Sequence, residues 1–380
     1  MGKKIHIFSD IYYPEDMAIA IRMRHLVDAL VSTNHFEVTI HTCSDTKSYP
    51  NVRIKRNIFP APNNTSSNVF RLLNEIILGI EVFVKILFIR SDLNFFTSPP
   101  FFVSYLGILA SRLRRKPYIL DVRDYYPEVF FVSNLVKRTG VFGRLLQKME
   151  SGMYKHSQLV SLATQGLLDH AIDGNPGDNY VLFRNGYDSK LFQPQDEKND
   201  IFTLIFHGNL GKFQAVDLIV KLAQRCYKEK HNIQFKVIGW GSNDEILKTD
   251  NTPNLEYLGR VQHRNIGEII AKAHIGLSLR SEDFISRTAF PVKVYEYIGA
   301  RLPIIITPKS EAGEFVEKTK IGFQFDTDDF DSLYLKIIEL YENRTLLEEL
   351  TNNCDLLKNE FSRELLSKKF VDSLIKKTQL

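Results

Sequence analysis

The chain has 380 residues, 44% of them hydrophobic, which is enough for two domains that each bury a core. Residues 1–195 hold 23 Lys and Arg against 17 Asp and Glu, whereas the remainder holds 26 against 28, for a net charge of +4. So small an excess, without an arginine-rich segment, argues against nucleic-acid binding and suits an anionic membrane surface or a phosphorylated substrate better.

The three cysteines, Cys43, Cys226 and Cys354, are far apart and follow no metal-ligand spacing. A disulfide framework and a zinc site are therefore both disfavoured. The first residues pass from two lysines into a short alternating strand without the apolar core of a signal peptide. We expect a protein of the reducing cytosol.

The first half of the chain alternates strand and helix patterns. A strand at IHIFSD, a helix at IRMRHLVDALVST and a strand at FEVTIHTC form an opening βαβ unit, which is typical of parallel sheets. Further strands are predicted at LNFFTS (93–98), PYILDVRD (117–124), LVSLAT (159–164) and YVLFRNGYD (180–188), and helices at 103–115 and 145–157.

The most apolar long segment, residues 68–92, carries Arg71, Glu75, Glu81 and Lys85 at about one charge per helical turn. A bilayer-spanning helix is excluded, because it needs about 20 mostly apolar residues without such charges. Two interpretations stay open. The helix is buried in a core, or it lies in a membrane surface, an interpretation consistent with its basic flanks.

A polar segment at 194–200 interrupts the pattern, and we expect the domain boundary there. The predicted domains are residues 1–193 and 200–355, with a helix at 356–380 that packs back on the first domain. The second half repeats the alternation, so the predicted fold is α/β, with two doubly wound, Rossmann-like parallel sheets facing a cleft and a helical C-terminal tail.

Ligands of such sheets bind beyond the carboxyl ends of the strands, so the turns that follow strands are candidate sites. In HGNLGK (207–212), Gly208 lets the backbone approach an anion, Asn209 follows it, and Lys212 adds a charge. The alternative is a tight turn with an exposed lysine. The segment is not a Walker loop, because GxxxxGK[ST] is absent.

A second candidate site combines Arg280 with Lys293 and Glu296, which lie about one helical turn apart. A carboxylate can accept both hydroxyls of a ribose, while a lysine and the amides of a helix N-terminus suit a diphosphate. An exposed ion pair within the helix is the alternative interpretation.

Asp121 and Asp124 end a strand that the pattern predicts to be buried, with Arg123 between them. Charged groups at such a place need a partner or a cleft. Structural pairing and catalysis both stay open.

Taken in order, these segments resemble retaining GT-B glycosyltransferases of family 4, which include many bacterial O-antigen and capsule enzymes. The sequence YYPEDMAIAIRMRHLVDAL is similar to their first loop and helix, DVRDYYPE to their RDxWPE element, and VLFRNGYDSKLFQP to their interdomain signature. The segments HGNLG, VIGWG, LEYLGRV and PVKVYEYIGARLPIIIT follow at the family's spacing, so the resemblance runs nearly end to end.

The resemblance implies a glycosyltransferase that uses a nucleoside diphosphate sugar, with a UDP-sugar favoured, and neither a metal nor a cofactor. Glu296 falls on the second glutamate of the E-x7-E motif, which implies binding of the donor ribose. Lys212, Arg280 and Lys293 are the cations expected at the diphosphate, and Asp124 is expected to hold or deprotonate the acceptor hydroxyl. The expected acceptor is a lipid-linked saccharide at the inner membrane face, with residues 68–92 and the basic 111–117 docking there.

This sequence departs from the family pattern at three places. Thr288 stands where the first glutamate of the motif belongs, so the contact to the transferred sugar is in question. Asn209 follows Gly208, and Gln214 and Ala215 replace a Lys-Gly pair. Ala18, Ile19 and Ala20 replace a Gly-Gly pair in the first loop.

Two other classes of function are open. An inactive partner that binds a nucleotide sugar or a membrane without turnover is consistent with Thr288. A Rossmann dehydrogenase is disfavoured, because YYPEDM follows the first strand where GxGxxG would be.

Overall fold

The computed structural model describes residues 2–62, 68–132 and 135–378. These residues form two compact units. The first unit comprises Met1–Asn185 and Leu366–Leu380, and the second comprises Gly186–Leu365. The polar segment at 194–200 lies within the second unit, and the C-terminal residues from Leu366 onward belong to the first.

The first unit is built on a parallel sheet with the strand order β3-β2-β1-β4-β5-β6-β7. The strands are β1 (Lys3–Phe8), β2 (Phe36–Thr42), β3 (Val52–Arg56), β4 (Leu93–Ser98), β5 (Tyr118–Val122), β6 (Leu159–Leu162) and β7 (Tyr180–Leu182). The helices of this part of the chain are α1 (Ala18–Ser32), α2 (Asn68–Phe88), α3 (Phe101–Leu113), α4 (Glu128–Val132), α5 (Val141–Lys155) and α6 (Gln165–Gly174).

The second unit contains a parallel sheet with the order β10-β9-β8-β11-β12-β13. Its strands are β8 (Phe202–Asn209), β9 (Ile233–Trp240), β10 (Leu255–Gly259), β11 (Ile275–Leu279), β12 (Ile304–Thr307) and β13 (Gly322–Gln324). Its helices are α7 (Val216–Lys228), α8 (Asp244–Thr249), α9 (His263–Ala271), α10 (Phe284–Thr288), α11 (Val292–Gly299), α12 (Glu311–Lys318), α13 (Phe330–Glu342) and α14 (Arg344–Lys358). The last helix of the chain, α15 (Arg363–Thr378), lies in the first unit from Leu366 onward.

The prediction of two doubly wound parallel sheets with a helical C-terminal segment is confirmed. The short strand β13 is not predicted from the sequence, and neither is β3. Its five residues, VRIKR, include three basic side chains, and it lies at an edge of the sheet. Edge strands are often short and charged, so their pattern differs little from that of a loop.

The helix α2 is apolar on two faces, of which one is buried and the other exposed. One of its faces packs into the core of the first unit through Leu78, Val82 and Ile86. The opposite face is apolar as well, yet it is exposed: Val69, Phe70, Leu73, Ile80, Val84 and Phe88. Among the described residues, no helix is both long enough and apolar enough to cross a membrane.

The acids that end β5 have different environments, which separates the two interpretations of that segment. Asp121 is buried and accepts two hydrogen bonds from the guanidinium of Arg22 in α1, at 2.8 and 3.2 Å. Ser161 and Thr97 donate to the same carboxylate at 2.7 and 3.2 Å. Asp124 is exposed. Of the two interpretations, structural pairing is therefore the one that describes Asp121.

Candidate functional site

The candidate site of the second unit lies where the strand order reverses. β8 is flanked by β9 on one side and by β11 on the other. The chain runs outward from β8 through β9 to β10, then returns to β11 and runs outward through β12 to β13. The order therefore reverses between the pair β8 and β11. In an open parallel sheet the crevice beyond the carboxyl ends of such a pair is where ligands bind. Gly208 and Asn209 end β8, and Arg280 directly follows β11.

Two glycine turns pack closely at this edge of the sheet. Gly208 has a φ of +120° and Gly239 a φ of +149°, conformations that other residues rarely adopt. A Cβ atom on Gly239 would lie 1.9 Å from the carbonyl oxygen of Gly208. Glycine is thus required at position 239, because the turns after β8 and β9 approach each other. The backbone of these two turns carries no side chain at Gly208 or Gly239.

Lys293, in the first turn of α11, lies against the turn after β8. Its side chain is 9% exposed, and its Nζ lies 3.6 Å from the centroid of the Phe206 ring. The Nζ also donates to Oε1 of Gln214 at 3.2 Å. Burial, and then the positive charge of Arg280, hold the pKa of Lys293 well below its ordinary value, and Glu296 opposes this shift.

Glu296 lies one turn further along α11 and is 6% exposed. Burial raises its pKa to about 7, although Arg363 and Lys293 oppose the shift. Its Oε2 lies 3.3 Å from Nε2 of His207, the residue before Gly208. This contact is not an ion pair, because burial and the charges of Lys293 and His263 hold the pKa of His207 well below its usual range.

The position of α11 is fixed by the residue that follows Glu296. The hydroxyl of Tyr297 lies 3.0 Å from the carbonyl oxygen of Leu277 in β11 and 3.1 Å from that of Ile205 in β8. Because these bonds are buried, they hold α11 across the two strands at the reversal point. Lys293 and Glu296 are thereby held at the ends of β8 and β11.

The other predicted residues of the second unit lie on the same loops. The backbone N–H of Arg280 donates to the carbonyl oxygen and to Oγ1 of Thr307, at 3.2 and 3.1 Å. Lys212 and Asn209 are exposed on the turn after β8. The structure therefore brings Gly208, Arg280, Lys293 and Glu296 to one edge of the sheet. The alternative interpretation, an exposed ion pair within α11, does not describe Lys293 and Glu296, because both are buried.

Thr288, at the position where the family has its first glutamate, ends α10. Its hydroxyl donates to the carbonyl oxygen of Phe284 at 2.8 Å, within the same short helix. Asp283 caps this helix by accepting from the backbone N–H of Ser286 at 2.8 Å. Asp283 is therefore engaged in the helix cap, and the hydroxyl of Thr288 is engaged within α10.

Sequence reasoning missed three titratable residues. His207 contacts Glu296, as described above. In the first unit, burial raises the pKa of Asp10, which follows β1, to about 6, and that of Glu75, in α2, to about 7. The charge of Arg71 opposes both shifts. Glu75 was recognisable as a charge inside an apolar helix, but periodicity alone did not show that it is buried.

The site has a clear electrostatic requirement. A buried lysine with a lowered pKa and a buried carboxyl with a raised pKa both lack the solvation that their charged forms need. An anion beside Lys293 and hydroxyl donors beside Glu296 would supply that solvation. The arrangement is thus suited to a ligand that carries a diphosphate next to a sugar with free hydroxyls.

Comparisons with known proteins find similarity to glycosyltransferases. Residues 188–355 match the family model described as Glycosyl transferases group 1. A probable glycosyltransferase of Pseudomonas aeruginosa, WbjE, is 24% identical over 267 residues. That alignment covers 65% of this chain and 65% of the length of WbjE.

Two solved structures resemble the whole chain. HepE from Anabaena, solved in complex with UDP, has a TM-score of 0.71 at 12% identity and covers 98% of this chain and 100% of its own. WaaG, a glycosyltransferase involved in lipopolysaccharide biosynthesis, has a TM-score of 0.67 at 12% identity. The match covers 97% of this chain and 98% of WaaG. The chain thus has the GT-B fold of these structures, and its residues 188–355 match the model of the group 1 family.

Proposed function

We propose that the protein transfers a hexose-type sugar from a nucleoside diphosphate sugar to a hydroxyl of a saccharide acceptor in cell-surface polysaccharide synthesis. The observation that carries this proposal is the buried pair of Lys293 and Glu296, held by α11 beside Gly208 in the region that matches the group 1 model. The similarity to WbjE and WaaG supports the polysaccharide context.

In this proposal Glu296 accepts hydrogen bonds from the ribose hydroxyls of the donor. Lys293 binds the diphosphate, and Arg280 and the exposed Lys212 supply further positive charge. The backbone of Gly208 and Asn209 approaches the diphosphate closely. UDP is the favoured nucleotide, since the similar protein HepE was solved with UDP. We further propose that no metal takes part, because these cations supply the positive charge at the leaving group.

The chemical step breaks the bond between the sugar and the diphosphate oxygen, on which negative charge develops. Lys293 is already buried beside the place proposed for that oxygen, so little reorganisation is needed to stabilise the charge. Retention of the anomeric configuration is proposed from the family resemblance. Asp124 is the proposed base for the acceptor hydroxyl, and Asp10, with a pKa of about 6, is a second candidate.

A panel of uridine, guanosine and adenosine diphosphate sugars tests the function. We expect UDP to raise the melting temperature of the protein, because a ligand that binds only the folded form stabilises it. With an oligosaccharide acceptor, we expect release of UDP from at least one UDP-sugar. Tight UDP binding without release from any donor and acceptor pair would favour the inactive partner that Thr288 suggests. No binding of any nucleotide would contradict both.

The acceptor is proposed to be a lipid-linked saccharide, reached by peripheral association with the inner membrane surface. The exposed apolar face of α2, with Phe88 at 81% exposure, supports this part of the proposal. The helices α3 and α5 add Leu113, Val141 and Phe142 as exposed apolar residues of the first unit. An apolar face flanked by basic residues suits the boundary of an anionic bilayer.

Vesicle flotation tests this association. The double variant Val84→Ser/Phe88→Ser should bind vesicles containing phosphatidylglycerol about tenfold or more weakly than the unchanged protein, because two exposed apolar side chains no longer enter the lipid. The matched control, Leu335→Ser/Leu356→Ser, removes two exposed leucines of the second unit. Equal flotation of both variants would contradict docking through α2.

A further inference from the structure

Part of one face of the sheet in the first unit carries polar instead of apolar side chains. The register pairs His6 of β1 with Thr39 of β2, and Thr39 with Arg53 of β3. In the next row His41 pairs with Lys55. Neighbouring residues of a parallel sheet that are in register share a face, so these side chains form one polar surface.

This surface forms the floor of a cavity of about 450 Å³ beside α2. The helix contributes Lys85 to its wall, and the chain beyond the helix contributes Ile89 and Arg90. The lining includes six cationic residues: Lys4, Arg53, Lys55, Arg56, Lys85 and Arg90. Glu37 is the acid that lines it. The lining thus has a large positive excess.

Three of these cations have carboxylate partners. Lys85 pairs with Glu81 at 2.6 Å, Arg56 with Asp45 at 3.0 Å, and Arg53 with Glu37 at 4.0 Å. The other three have no carboxylate within ion-pair distance among the residues that the structure describes: Lys4, Lys55 and Arg90. Unpaired cations around a concave surface raise the local concentration of anions.

The floor also contains a buried polar atom with no partner. His41 is 2% exposed, and its Nε2 lies 2.9 Å from Nδ1 of His6. The Nδ1 of His41 makes no hydrogen bond within the described part of the chain. Buried polar atoms are nearly always satisfied, so the floor of the cavity has a hydrogen-bonding requirement that the described residues do not meet.

We propose that this cavity is a binding site for a phosphate-bearing anion, either a diphosphate or a phosphomonoester. The unpaired cations lie on three elements, β1, β3 and the segment after α2, so they can approach different oxygens of one ligand. Arginine also matches the oxygens of phosphate in a bidentate geometry. The site is separate from the proposed donor site, whose residues all belong to the second unit.

A phosphate of this kind has two sources, a soluble metabolite and a lipid headgroup. Apolar residues adjoin the cationic wall, since Val84 and Phe88 are exposed on α2 and Ile58, shortly after β3, is 83% exposed. The shared chemistry is the phosphate group, and the two sources are separated by experiment.

The first experiment is calorimetric titration with inorganic pyrophosphate in an excess of UDP. We expect Lys55→Gln/Arg90→Gln to weaken binding about tenfold or more, because two charge-assisted hydrogen bonds are lost. The control Lys3→Gln/Lys47→Gln removes the same charge from exposed lysines of the first unit that do not line the cavity. The variant Lys293→Met should retain this binding, which separates the cavity from the donor site even if UDP does not bind.

Equal affinities of the cavity variant and the control, or no pyrophosphate binding by the unchanged protein, would overturn the proposal. The second experiment uses phosphatidylcholine vesicles with and without phosphatidic acid. If the headgroup is the ligand, Lys55→Gln/Arg90→Gln loses flotation and pyrophosphate competes with the vesicles. If a soluble anion is the ligand, the cavity variant and the control float equally, while the calorimetric difference remains.

Discussion

Replacement of Asp121 by alanine is expected to lower the free energy of unfolding by about 3–5 kcal/mol, because it leaves a buried charge without its partner. The guanidinium of Arg22 is 2% exposed and donates two hydrogen bonds to Asp121. After the change, the guanidinium stays buried without an opposite charge beside it. Urea-induced unfolding followed by circular dichroism measures the loss.

Asp124→Ala is the matched control, since it removes an exposed acid three residues further on and should change stability by no more than about 0.5 kcal/mol. Arg22→Met/Asp121→Leu removes both charges and should recover part of the loss, because apolar side chains often replace a buried ion pair without destabilisation. An Asp121→Ala protein with an unchanged unfolding midpoint would show that the pair does not stabilise the first unit.

Replacement of Lys293 by methionine is expected to lower kcat/KM for the donor sugar by about 10²–10³, the loss typical when a group that stabilises developing negative charge is removed. The same change should leave the unfolding midpoint without ligand unchanged or higher. Burial holds the pKa of Lys293 well below its ordinary value, so the folded protein gains little from the ammonium group when no anion is bound.

This combination of lost activity and retained stability distinguishes a donor-site lysine from a structural one. Lys318→Met, at an exposed lysine in the last turn of α12, is the control and should change neither quantity. Glu296→Gln should mainly weaken UDP binding, since an amide has one acceptor oxygen for the ribose hydroxyls where the carboxylate has two. Unchanged turnover in Lys293→Met would remove the basis of the proposed mechanism.

Gln214, which stands in place of the lysine of the family's Lys-Gly pair, contacts Lys293. Its Oε1 accepts a hydrogen bond from Nζ of Lys293 at 3.2 Å. The glutamine thus orients a lysine that another element supplies. This arrangement supports the proposal that Lys293 takes over the charge that the missing lysine would contribute.

The sequence was sufficient for the architecture because the alternation of apolar strands and amphipathic helices is a local property. It also identified the turn after β8, since Gly208 is recognisable from composition and position. The strand β3 was missed, because three basic residues among five hide the alternation. The short helices α4 and α10 were missed too, because five residues carry too little periodicity.

What the sequence by itself determined is the order of elements and the turns after the strands, while the donor-binding role of Glu296 stays a prediction of the family resemblance. Only the tertiary structure decided that Lys293 and Glu296 are buried, that Asp121 pairs with Arg22, and that three strands and the end of α2 enclose a basic cavity. Burial and register depend on contacts between residues far apart in the chain, such as Arg22 and Asp121, which are separated by 99 positions. Local periodicity contains no information about such contacts.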